Sequence, residues 1–141
     1  MKTAFTFPVR VYYEDTDAGG VVYHANYLKF MERARSEWLS HLDLEHGPLA
    51  EEHDALFVVR AAKIEYLRPA RLSDALTVDV AIGQVRRSTI MFHQKICRGD
   101  EVLATGEIAV VAVSASGFRP CAVPAPVVAA LQPWLLPQPG D

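Results

Sequence analysis

Two carboxylates, a glycine pair, a histidine and an asparagine fall close together: Asp15, Asp17, Gly19, Gly20, His24 and Asn26. A carboxylate can attack a carbonyl carbon itself, or take a proton from a water that does so. Either route builds negative charge on the carbonyl oxygen, and backbone N–H groups at a helix start can hold that charge. One such donor is typically worth about 3–4 kcal/mol of barrier. Gly19 and Gly20 let the chain turn sharply and bring backbone close to a ligand. Both aspartates also suit a plainer role, because Asp ahead of Gly forms turns by bonding local N–H groups. His24 is as suited to packing or solvation as to orienting water or moving a proton. The residue types alone leave these roles open.

The flanking pattern places the cluster between a strand and a helix. Val9, Val11 and Tyr13 alternate with Arg10, Tyr12 and Glu14, the period of a half-buried strand. Tyr27, Phe30, Met31, Ala34, Trp38 and Leu42 recur at three- and four-residue steps, one stripe of a long helix. Asn26 suits the N-cap of that helix. Residues 43–54 are polar and contain Gly47-Pro48, which predicts a loop with at most one helical turn.

Four further strands follow. Residues 56–67 end in alternation, and Pro69 breaks the pattern. Leu76, Val78, Val80 and Ile82 alternate with polar or small neighbours, and Ile90, Phe92 and Ile96 share one side of the next strand. Arg98-Gly99-Asp100 predicts a hairpin turn, and Val102 to Val113 reads as a central strand covered on both faces. A short amphipathic helix is predicted over 126–131, with a frayed tail at 132–141. The layout is α+β: one long helix packed on an antiparallel sheet of about five strands, in a single domain over 1–141. Apolar residues remaining on the other sheet face call for a partner, most simply a second copy about a two-fold axis.

Composition narrows the class. A chain of 141 residues, half hydrophobic and 22% charged, can bury a real core. The net charge of −3 argues against a general nucleic-acid binder. Cys97 and Cys121 form neither a disulfide framework nor a metal-ligand spacing. The first residues lack the apolar run and cleavage site of a signal peptide, and no stretch is long and apolar enough to span a membrane. The expectation is a reduced, cytoplasmic protein without a metal or cofactor.

The run from Asp15 to Tyr27, followed by Phe30-Met31-Glu32-Arg33-Ala34-Arg35, closely resembles hotdog-fold acyl-CoA thioesterases. The likeness is to the 4-hydroxybenzoyl-CoA thioesterase-like branch, and within it to the Tol-Pal-associated enzymes. Supporting segments follow in order: Phe57-Val58-Val59-Arg60, residues 64–71, Arg86-Arg87-Ser88-Thr89, and Arg119-Pro120 with Val123-Pro124. The resemblance covers residues 7–131. It implies a sheet wrapped around the helix, subunits paired sheet edge to sheet edge, and an active site at the subunit interface. It implies hydrolysis of acyl thioesters, with Asp17 catalytic as nucleophile or base and Asp15 structural. The His24 N–H would polarise the carbonyl, and the His24 side chain is a further catalytic candidate. Gly19, Gly20, Tyr23 and Asn26 become substrate-binding candidates. Arg86, Arg87 and Ser88 would meet the phosphates of coenzyme A or the acidic surface of an acyl carrier protein. Lys63, Arg68 and Arg71 are alternatives for that task. A homodimer or homotetramer is implied.

Two other readings compete. Residues 15–20 faintly resemble the start of a calcium loop, but Asn26 stands where such a loop needs a bidentate Glu. A noncatalytic acyl-thioester binder could share the fold, since fold alone does not give function.

Overall fold

The computed structural model describes residues 2–135. Its elements are β1 (Thr3–Arg10), α1 (Asn26–His41), α2 (His46–His53), β2 (Ala55–Tyr66), β3 (Ala75–Val85), β4 (Thr89–Arg98), β5 (Glu101–Ser114) and α3 (Ala125–Leu131). The five strands form one antiparallel sheet in the order β1-β3-β4-β5-β2. This is the hotdog architecture. The predicted helix stripe is its centre: Tyr27, Phe30, Met31, Ala34 and Trp38 are all buried, against Leu76, Val78, Val80, Ile82, Ile90, Phe92 and Ile108 of the strands. Each large apolar side chain removed from water stabilises by about 1.5–3 kcal/mol, so this interface dominates the fold. The helix lies so close to β5 that a Cβ on Gly106 would stand 2.8 Å from Met31 Sδ. Among the described residues no helix is long and apolar enough to cross a membrane.

Several local expectations change. The first strand ends at Arg10 rather than running through Glu14. Asp15 causes the change: its carboxylate accepts the Tyr12 N–H at 2.8 Å, and its own N–H donates to the Tyr12 carbonyl at 3.0 Å. The ladder donor is thereby captured into a turn, and residues 13–15 coil into a short 3-10 helix. Residues 46–53 form two turns of helix rather than a loop, anchored by buried Leu49. Pro48 sits in the first turn, where its missing N–H costs nothing. That helix stops at Asp54, a left-handed residue whose carboxylate holds Ser116. At the C-terminal end, Gln132–Trp134 is a 3-10 turn rather than frayed chain, and Trp134 and Leu135 pack on the core. Positions 136–141 of the expected tail lie outside the described residues.

The apolar surplus is also distributed differently. Much of the outer sheet face is polar, with Asp79 against Lys95 and His93 near Glu107. Exposed apolar side chains gather instead along the β2 edge, at Val58 and Val59, and at one end of the sheet, with Phe118 alone at the opposite end among the described residues. The first of these ends holds Tyr12, Tyr13, Tyr23, Leu28, Tyr66, Leu67 and Leu72. The other sheet edge, β1, is blunted by Pro8, which has no donor to offer.

Candidate active site

The loop between β1 and α1 is tied to the sheet end by backbone bonds. The Val11 N–H donates to the Asp74 carbonyl at 3.0 Å, and the Val22 N–H to the Ala70 carbonyl at 2.8 Å. Within the loop, Asp17 N–H to Val21 O (2.9 Å) and Gly20 N–H to Asp17 O (3.1 Å) close a tight hairpin. Gly20 takes φ +79°, a left-handed conformation that a side chain would strain. The two aspartates separate here. Asp15 is buried, and its carbonyl accepts from the Tyr23 N–H and the Asn26 side-chain amide, both at 2.9 Å. Asp17 is exposed at the hairpin base. Its Oδ1 accepts the Gly19 N–H at 2.8 Å, while Oδ2 accepts no hydrogen bond among the described residues. Asp17 is thus a turn former and an available carboxylate at once. It opens on a depression of about 410 Å³ shared with Tyr13, Thr16, Ala18, Gly20 and Leu72.

Asn26 is not the N-cap. Ala25 occupies that position, and the Asn26 side chain turns back to the Asp15 carbonyl. With Asn26 buried, its amide brackets helix and loop. His24 is exposed, its ring 4.4 Å from that of exposed Tyr23. The His24 N–H donates to no protein acceptor among the described residues. The His24 carbonyl accepts the Tyr66 hydroxyl at 2.8 Å. Partial burial, and then neighbouring Tyr27, push the Tyr66 phenol above its ordinary pKa, so it remains a donor. Tyr27 in turn accepts the Ala70 N–H at 3.0 Å. This tyrosine pair escaped sequence reasoning. Its signal was an aromatic closing β2 on the side that faces the helix.

The arginine turn lies elsewhere. Arg86 and Arg87 are exposed on the β3–β4 turn, with Ser88 half-buried beside them. Backbone bonds from Ala112 to Ser88 and from Val123 to Arg87 fix that turn. β3 has eleven residues and starts beside the Asp17 loop, so at about 3.3 Å per residue the turn is roughly 30 Å away. One chain therefore does not bring Arg86, Arg87 and Ser88 to Asp17. Of the alternative cations, Arg71 pairs through its backbone with Val21 at the loop, Arg68 binds Glu101, and Lys63 lines a groove on the outer face. A second cavity, of about 290 Å³, opens between α1 and the β2 edge, walled by Leu39, Phe57, Val58, Val59, Ile90 and Phe92. No cluster of three metal-ligating side chains occurs among the described residues.

Residues 19–105 match the family model described as the thioesterase superfamily. The acyl-CoA thioesterase YbgC of Haemophilus influenzae is 45% identical over 130 residues, covering 92% of this chain and 96% of that protein. Among solved structures, a probable thioesterase from Bartonella henselae superposes with a TM-score of 0.81 at 36% identity, over 86% of this chain and 100% of that one. A thioesterase from Thermus thermophilus, complexed with coenzyme A and Zn, superposes with a TM-score of 0.80 at 27% identity, over 94% of each chain.

Proposed function

The chain belongs to the thioesterase superfamily and hydrolyses acyl-CoA thioesters, and from that premise we propose that Asp17 is the catalytic carboxylate. The observation that carries this reading is the unbonded Oδ2 of Asp17, exposed beside a rigid glycine hairpin at a helix start. As nucleophile, Oδ2 forms a bond to the thioester carbonyl carbon. The C–S bond then breaks, the thiolate leaves and takes a proton, and water hydrolyses the anhydride. As base, Asp17 takes a proton from water while the water oxygen attacks, and the thiolate leaves with that proton. Both routes need a donor for the oxyanion. The free His24 N–H suits that task, with its carbonyl side held by Tyr66. Gly19 and Gly20 admit the thioester to the backbone, exposed Tyr23 and the His24 ring flank it, and Asn26 positions the loop.

We further propose a homodimer at least, paired through β2. The strand is an unblunted edge carrying exposed Val58 and Val59. The Tyr66 end of β2 adjoins the Asp17 loop, whereas the Ala55 end lies near the arginine turn through Ser114 and Ala112. Antiparallel pairing of two β2 strands sets each end beside its opposite in the other copy. The partner's Arg86, Arg87 and Ser88 would then meet the thioester's phosphates at this chain's Asp17. The same cations suit the acidic surface of an acyl carrier protein as a second carrier. A cytoplasmic setting fits the two free thiols. No observation favours a noncatalytic binder. The test is hydrolysis of an acyl-CoA panel by the wild-type protein and by Asp17→Asn. Near-equal turnover by the two would remove Asp17 from the mechanism.

A further inference from the structure

Among the described residues, Arg35 is taken out of water without a carboxylate to pair it. Arg35, in the middle of α1, is 9% exposed and lines the cavity between α1 and β2. Its Nη1 donates to Gln94 Oε1 at 2.9 Å, and the Gln94 amide donates in turn to the Met31 carbonyl at 3.0 Å. Gln94 is 2% exposed, on the inward register of β4 between Phe92 and Ile96. The Met31 bond fixes the amide orientation, so Oε1 must face the guanidinium. Phe92 lies under the cation, 5.8 Å from its ring centre. No carboxylate comes within 4.0 Å of Arg35 among the described residues. Glu32, one turn earlier at the cavity rim, is exposed and acts on it only through space. A guanidinium carries five N–H donors in a rigid fork, and a neutral amide occupies one of them. Burial lowers the Arg35 pKa, with Glu32 only partly restoring it. No fully buried side-chain nitrogen or oxygen lacks a partner among the described residues, so the remaining Arg35 donors open on the cavity, where a second partner can reach them.

We propose that Arg35 is a specificity residue that binds a carboxylate at the far end of the acyl group, held ready by Gln94 and Phe92. The cavity, about 290 Å³, is at the small end of the roughly 300–1,000 Å³ range for small-molecule sites, which suits a short acyl chain. The assignment rests on the β2–β2 dimer proposed above, whose two-fold would set the partner's Asp17 loop beside the Ala55 end of this chain's β2, the end that carries Phe57, Val58 and Val59 of this cavity. The preferred substrate class is therefore the monothioester of a short dicarboxylic acid. The carboxylate accepts two N–H donors of the fork while the thioester lies at the mouth.

The experiment compares adipoyl-CoA with hexanoyl-CoA on the intact wild-type protein, on Arg35→Met and on Gln94→Glu. Wild type is expected to favour adipoyl-CoA in kcat/KM. Arg35→Met should lower the adipoyl-to-hexanoyl ratio by about 10- to 100-fold, the size of a charge-assisted contact. Gln94→Glu keeps the cation and the volume but supplies an internal carboxylate. It should lower the same ratio, and it carries the test if Arg35→Met fails to fold. A wild-type ratio of one or less that neither variant changes overturns the proposal, while hydrolysis of hexanoyl-CoA would leave the Asp17 reading standing. Wild-type failure on both thioesters overturns this proposal, and turnover on any member of the acyl-CoA panel above separates that outcome from failure of the Asp17 reading.

Discussion

The two ends of the sheet are built differently. At the Asp17 end, a fifteen-residue excursion between β1 and α1 is stitched to the chain after β2 by backbone pairs, to the end of β2 by the Tyr66 hydroxyl and to the helix start by buried Asn26, while the Tyr27 hydroxyl ties α1 to Ala70. Its surface sets exposed tyrosines and leucines beside the Asp17 carboxylate and the Arg68–Glu101 ion pair. At the other end a short turn presents Arg86 and Arg87 to solvent, with backbone bonds alone holding it. One end is rigid and suits a reacting carbonyl. The other is charged and suits a remote anion. Some 30 Å of β3, at about 3.3 Å per residue, separates them, so on the proposed reading one chain would hold two halves of a site and a two-fold through β2 would make two whole ones.

The sharpest way to break this contrast is at the rigid end. Asp17→Asn preserves the bond from the Gly19 N–H, because an amide oxygen also accepts, but removes the nucleophile or base. Its kcat should fall at least about 100-fold with little change in thermal unfolding. Steady-state kinetics with calorimetry checks both halves. A large loss of stability would mean that the Asp17 charge supports the fold, and the kinetic loss would then not assign it to the reaction.

At the charged end, Arg86→Glu with Arg87→Glu should raise KM for acyl-CoA about tenfold with a smaller change in kcat, because contacts to remote phosphates bind ground and transition states alike. The effect should shrink at high salt and for a truncated thioester lacking the nucleotide. Unfolding and refolding this double variant together with Asp17→Asn then asks where the halves meet. If sites are shared across the two-fold, each mixed dimer has one site with both lesions and one with none. Roughly a quarter of all sites then regain wild-type KM and turnover. If both halves belong to one chain, mixing restores nothing.

How far the sequence reveals this depends on the range of the interaction. The stripe from Tyr27 to Trp38 and the alternation of Leu76 to Ile82 are periodic, and each became the element its period predicts. The hairpin at Gly99 was legible because turn chemistry is local. Where a side chain competes with the backbone, periodicity misleads. Val11 and Tyr13 alternate like strand residues, yet the Asp15 carboxylate takes the Tyr12 N–H and ends the strand early. The cluster from Asp15 to Asn26 was recognisable as a candidate site, but the division between a buried Asp15 and an open Asp17 depends on the contacts of Tyr23 and Asn26. The arginine turn was legible as cations and not as distance, because one-dimensional order does not say which end of a sheet a turn occupies. Gln94 carried a readable signal, a polar residue in register with Ile90, Phe92 and Ile96, but its partner Arg35 lies 59 positions away.

A smaller effect at the rigid end would sharpen the contrast. Tyr66→Phe deletes the hydroxyl that holds the His24 carbonyl and leaves the ring against Tyr27. A net hydrogen bond is worth about 1 kcal/mol, and this one is partly solvated, so stability should fall by less than that. If the His24 N–H serves the oxyanion, kcat should fall severalfold with KM nearly unchanged. An unchanged kcat would remove that N–H from the reaction.

The smallest effect concerns the ion pairs beneath the rigid end. Arg98 binds Asp74 and Glu101, and Arg68 also binds Glu101, joining the β4–β5 hairpin to the segment on which the Asp17 loop rests. Burial alone would raise the Asp74 pKa, but the Arg71 N–H and the Arg98 guanidinium outweigh it and hold the carboxyl below its ordinary value. Glu101 is lowered by its bonds to Arg98 and then to Arg68. Both folded-state values lie below the unfolded ones. Their contribution is therefore complete above the ordinary carboxylate pKa, about 4, and is lost as pH falls through the depressed folded values. Arg98→Gln should lower the melting temperature slightly at pH 7, with the gap to wild type closing as the pH falls below about 4. Arg86→Gln, at the charged end and away from these pairs, should show no such pH-dependent gap. A gap for Arg98→Gln that is the same at pH 3 and pH 7 would mean that the arginine supports the loop by packing and not by charge.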